Sequence, residues 1–154
     1  MIREFTLQPA LAHKKKIEEV RQMELAEAEL AYEHGRRVLN LLSDLERLGC
    51  EELERHQGQG QLDIGSINIY LQELQALQKK IDEQTHLLGS LNATVQQRRE
   101  ILVEATKEKK ALEKLREKHD KEVTQALGRA ENKLMEEIAT SQFHRRKVGL
   151  EQLA

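Results

Sequence analysis

Gln57-Gly58-Gln59-Gly60-Gln61-Leu62-Asp63-Ile64-Gly65-Ser66 holds three of the chain's eight glycines and separates two long stretches in which apolar residues recur at steps of three and four. Glycine clustered between helix-period segments marks a turn. Working back from it, helix 1 is expected over about residues 10 to 56. Pro9 falls in its first turn, where the missing N–H would have no helical partner anyway. Working forward, Asp63 or Ser66 can cap helix 2, which then runs from about 67 to 147 without a proline. At 1.5 Å per residue the two helices span roughly 70 and 120 Å.

Helix 2 carries the clearest period. Ile67, Tyr70, Leu74, Leu77, Ile81, Gln84, Leu88, Leu91, Val95, Arg98, Leu102, Ala105, Lys109 and Leu112 alternate steps of three and four, the mark of a heptad seam. For helix 1 the expected seam is Ala28, Ala31, Gly35, Val38, Leu42, Leu45 and Gly49, joined to Ile17 and Val20 through a four-residue stutter at Glu24.

A chain turning near residue 61 pairs positions whose numbers sum to about 122 or 123. That register sets Leu45 on Leu77, Leu42 on Ile81, and the small Gly35, Ala31 and Ala28 on Leu88, Leu91 and Val95. Small against large keeps the helices at one distance. It also sets Glu24 beside Arg98. A parallel dimer would stack Gly35 on Gly35 and Arg98 on Arg98, so the pattern favours an all-α, two-helix antiparallel coiled-coil hairpin with a longer C-terminal helix, spanning 1–154 as a single monomeric unit. By the same sum, residue 10 falls near 113, so Val123, Leu127, Ala130, Leu134 and Ile138 lie on a helix that overhangs. Their stripe either docks a partner or is covered by the residues before Pro9.

Composition narrows the function classes. The chain is 38% hydrophobic, 34% charged and 3% aromatic, with net charge −2. That balance excludes a bulk nucleic-acid binder, which needs many uncompensated basic groups on one face. No stretch approaches the about 20 apolar residues of a membrane span. Cys50 is the only cysteine, and no apolar leader follows Met1-Ile2-Arg3-Glu4, so a cytoplasmic site is expected. The six histidines are scattered and form no metal-binding spacing, and there is no phosphate loop or nucleophile motif. No cofactor, metal or catalytic residue is expected, and the chain reads as a binding protein.

Two features point to partners. Basic runs at Lys14-Lys15-Lys16, Lys107 with Lys109-Lys110, Lys114 to Lys118, and Arg145-Arg146-Lys147 gather away from the turn and suit an acidic surface. Near the turn, Tyr32, Leu39, Leu41, Leu48 and Leu71 are apolar residues outside the expected seams, and exposed apolar patches on a slim rod commonly mark protein contacts.

Three blocks in order around the turn carry a family resemblance: Phe5-Thr6-Leu7-Gln8-Pro9-Ala10-Leu11; Tyr70-Leu71-Gln72-Glu73-Leu74-Gln75-Ala76-Leu77 with Ile81 and Gln84; and Leu112 to Lys118 followed by Glu131-Asn132-Lys133-Leu134-Met135-Glu136-Glu137-Ile138-Ala139. Over nearly its full length the chain resembles the FliJ family of flagellar export proteins, which is similar in form to the rotor stalk of rotary ATPases. The resemblance implies a non-enzymatic part of the type III export apparatus at the inner membrane. It would dock in the export ATPase hexamer, promote its assembly, bind the cytoplasmic domain of the export gate membrane protein and contact export chaperones. Carried onto this sequence, ring docking falls on Lys14, Lys15, Lys16, Arg145, Arg146 and Lys147, and gate binding on Tyr70, Glu73, Leu77, Lys80 and Gln84. The stalk of a virulence-type secretion system and a general coiled-coil scaffold or holdase chaperone are the alternatives.

Overall fold

The computed structural model describes residues 4–60 and 63–153. Two helices account for almost all of them: α1, Gln8–Gly58, of 51 residues, and α2, Ile64–Gln152, of 89. The architecture is all-α and hairpin-like, with the longer helix C-terminal. Both helices reach further towards the turn than expected, because Gly58 stays helical and α2 takes in Gly65 and Ser66.

Each end of the turn has a defined cap. Gly60 adopts φ +65°, a left-handed conformation that closes helix C-termini and that a Cβ disfavours. Its N–H reaches the carbonyl of Gln57 at 3.2 Å, and Gln59 N–H reaches Arg55. At the start of α2, Asp63 Oδ1 accepts the backbone N–H of Ser66 at 2.7 Å, while Ile67 N–H donates to the Asp63 carbonyl. Of the two capping candidates, Asp63 does the work. That backbone hydrogen bond, followed by one from the Ser66 side chain, holds the Asp63 carboxyl below its ordinary pKa.

The chain packs as two units, Lys16–Thr106 and a second in which the N-terminal residues through Lys15 lie with the chain from Lys107 onward. In the first, the register is fixed by two glycines. A Cβ on Gly35 would stand 3.0 Å from Leu88 Cδ2 and 3.2 Å from Leu91 Cδ1, and one on Gly49 would stand 3.0 Å from Leu74 Cδ2. Both main pairs, 35 with 88 and 49 with 74, sum to 123, in agreement with the expected register. Gln84 Nε2 donates to the Gly35 carbonyl at 2.9 Å, and Arg98 Nη1 meets Glu24 Oε2 at 3.4 Å, the pairing expected from the sequence. Arg21 also clasps Glu24, at 2.9 and 3.1 Å.

The α2 seam from Ile67 to Ala105 is buried or half-buried at every expected position. The α1 seam is the expected one only in part. Ile17, Glu24, Ala28, Gly35, Val38, Leu42 and Gly49 are covered as expected, but Val20, Ala31 and Leu45 are exposed, and the continuous covered line runs Glu18, Arg21, Leu25, Ala28, Tyr32, Gly35, Leu39, Leu42, Glu46, Gly49, Leu53 and His56. This is an unbroken alternation of three and four, so the stutter at Glu24 is not needed. Glu46, rather than Leu45, takes the layer opposite Leu77. A two-helix seam is only half shielded from water, so long charged side chains can cover it with their stems and keep their charges solvated.

In the second unit Leu11 is fully buried and Lys14 Nζ pairs with Glu108 Oε2 at 2.7 Å. The Phe5 ring lies 5.6 Å from that of His119. Phe5 therefore lies over α2 at His119, with Val123 half-buried, but Leu127, Leu134 and Ile138 stay exposed. The overhang keeps its apolar stripe uncovered along most of its length.

Candidate functional site: a groove beside the turn

The sequence places Tyr70, Glu73, Leu77 and Lys80 at steps of three, four and three on α2. Their side chains gather along one groove between the helices. Leu45, Gly49 and Glu52 supply the wall from α1, and Tyr70, Glu73, Leu74, Ala76, Leu77 and Lys80 supply the wall and floor from α2. At Gly49 the missing side chain lets Leu74 approach, a Cβ there standing 3.0 Å from Leu74 Cδ2. Tyr70 is held at the turn end by the His56 ring, 6.1 Å away.

Gln84 does not line this groove. Its amide is engaged with the Gly35 carbonyl one turn further along, where it joins α2 to α1. Leu77 is half-buried in the seam and still presents a face to the groove, so seam packing and groove lining coexist at that residue.

The α1 wall was not assigned to a site from the sequence. Its signal was nonetheless there, since Val38, Leu41, Leu45 and Leu48 follow one another at steps of three, four and three on one side of the seam. The other side of the same stretch carries Arg36, Asn40, Ser43, Arg47, Cys50 and Glu54, all exposed. The turn-proximal hairpin thus has one apolar flank and one polar flank along α1.

The basic candidates are arranged differently. Lys15 and Lys16 are exposed, while Lys14 is partly covered and tied to Glu108. Arg145, Arg146 and Lys147 are exposed on the overhang of α2. Glu108 and Arg145 lie 37 residues apart on one helix, about 55 Å at 1.5 Å per residue. The two basic groups are separate positions along α2.

A family model described as the flagellar FliJ protein matches residues 3–148. The chain belongs to this family. No curated protein and no solved structure matches it. FliJ-family membership makes the chain a component of the flagellar export apparatus, in a family that is non-catalytic. Among the described residues of this FliJ-family chain, no cluster of three or more His, Cys, Asp or Glu could hold a metal ion, and no helix is long and apolar enough to cross a membrane.

Proposed function

We propose that this FliJ-family chain is the coupling stalk of the flagellar export apparatus. It works as a monomer in the cytoplasm, peripheral to the inner membrane. Lys14, Lys15, Lys16, Arg145, Arg146 and Lys147 dock it in the export ATPase hexamer and promote ring assembly. The groove beside the turn binds the cytoplasmic domain of the export gate, with Tyr70, Glu73, Leu77 and Lys80 at the contact and Gln84 keeping the two helices in register behind it. Export chaperones are further partners. The observation that carries the reading is the groove itself: four residues separated along α2 converge on one half-open apolar surface with charged edges, the form of a protein-docking site.

The test is binding and stimulation with purified partners. The chain is expected to raise ATP hydrolysis by the export ATPase and to bind the gate domain. Lys15→Glu with Lys16→Glu, and separately Arg145→Glu with Arg146→Glu, should weaken ATPase binding and flatten its loss with salt, leaving gate binding unchanged. A chain that neither binds the ATPase nor alters its oligomerisation contradicts the reading.

A further inference from the structure

On α1 near the turn there are two apolar stripes. One is the seam, and the other is the flank on which Leu41, Leu45 and Leu48 are 61%, 47% and 52% exposed. A helix with a second apolar stripe at steps of three and four is built to contact two neighbours, and α2 is only one of them. On α2, Glu73, Ala76 and Lys80 follow the same steps along the facing edge. Two adjacent helices bordering a shallow apolar trough offer the surface into which one more amphipathic helix packs.

The charges give that third helix a direction. Glu52 and Glu73 line the end of the groove nearer the turn, and Lys80 lines the other end. Glu73 and Lys80 are in no ion pair with another described residue. Glu52 lies 3.6 Å from His56 Nε2, a pairing that requires a protonated imidazole. A complementary segment has a basic residue at the turn end and an acidic residue beside Lys80.

Resting on the gate-binding reading above, we propose that the groove takes a single amphipathic helix of the gate domain as a third helix, packed on Leu41, Leu45 and Leu48 of α1 as well as on α2, with its basic end towards Glu52 and Glu73. Half of the contact therefore comes from a helix that the family resemblance did not assign to gate binding.

The experiment uses the full chain and the purified gate cytoplasmic domain in titration calorimetry. Leu45→Lys and Leu48→Lys should each weaken binding by about tenfold or more, the loss typical of a central apolar anchor. Ser43→Lys, on the polar flank, should stay within about twofold. All three positions are exposed, so circular dichroism of the free variants should match the parent. If Glu73→Lys weakens binding while Leu45→Lys and Leu48→Lys do not, this inference falls and the gate-binding reading stands. If the parent chain does not bind the gate domain, both fall. If sedimentation shows a dimer of the chain that Leu45→Lys dissolves, the flank belongs to a second copy and the inference is overturned. A synthetic peptide spanning the gate segment protected in hydrogen exchange should gain helical dichroism on binding, and a peptide that binds without gaining helix also overturns it.

Discussion

Gly35→Leu should destabilise the hairpin, whereas Gly89→Ala should stabilise it, although both glycines lie within long helices. At Gly89 nothing stands within 4 Å of a new Cβ, so the substitution only removes glycine's backbone entropy cost, a gain of about 1 kcal/mol. At Gly35 the same propensity gain is opposed by packing. Leu88 and Leu91 methyl groups already stand 3.0 and 3.2 Å from the Cβ position, and Gln84 Nε2 stands 3.4 Å from it. An isobutyl group there must push α2 away or displace Gln84 from the Gly35 carbonyl. Overpacking costs about 1–3 kcal/mol, with the upper end expected for a whole side chain, and a lost hydrogen bond adds about 1 kcal/mol. Thermal unfolding followed at 222 nm should therefore move in opposite directions for the two variants, by a few degrees upward for Gly89→Ala and further downward for Gly35→Leu. A downward shift for both, or none for Gly35→Leu, would contradict the close approach.

Leu11→Ala should release the N-terminal segment and leave the hairpin intact. Leu11 is the one fully buried large side chain among the described residues, and it lies in the unit that joins the N-terminal residues to α2 beyond Lys107. Truncating a buried leucine costs about 2–5 kcal/mol, depending on how far the site collapses. The loss falls on a short segment whose other named ties are the Lys14–Glu108 pair and the Phe5–His119 contact, both partly exposed. Exposed ion pairs contribute about 0–1 kcal/mol, too little to compensate. Hydrogen exchange should show protection falling for amides 11–15, while amides 35–49 and 74–95 keep theirs. Loss of protection across both sets would mean that Leu11 supports the whole fold.

The fold and register were legible in the sequence because α2 is patterned strictly and because Gly35 and Gly49 have large residues opposite them. The α1 seam was read one residue off at two layers, at Ala31 and Leu45 in place of Tyr32 and Glu46, while at the layer between them the expected Val38 and its neighbour Leu39 are both half-buried. Its frame was obscured by the second stripe. Leu41, Leu45 and Leu48 outweigh Glu46 and Arg21 on any hydrophobicity count, yet the charged side chains occupy the seam because water reaches its edges. Tyr32 and Leu39, set aside as possible contact residues, are seam residues. Leu41 and Leu48, set aside with them, are exposed. The α2 half of the candidate site came from family resemblance. The α1 half was visible only as apolar residues without a place, because assigning them to a groove requires knowing which edge of α2 they face.

A pair of cysteines tests the register most directly. In a Cys50→Ser background, Ala28→Cys and Val95→Cys occupy one layer, at positions that sum to 123 like Gly35 with Leu88. Ala28→Cys with Leu102→Cys is shifted by one heptad, about 10 Å along the axis, beyond the roughly 7 Å Cα separation that a disulfide can bridge. Under mild oxidation the first pair should close within one chain at monomer mass, and the shifted pair should remain reduced. Disulfide-linked dimers from the first pair, or equal closure of the shifted pair, would contradict the antiparallel hairpin on which the groove and its proposed partner depend.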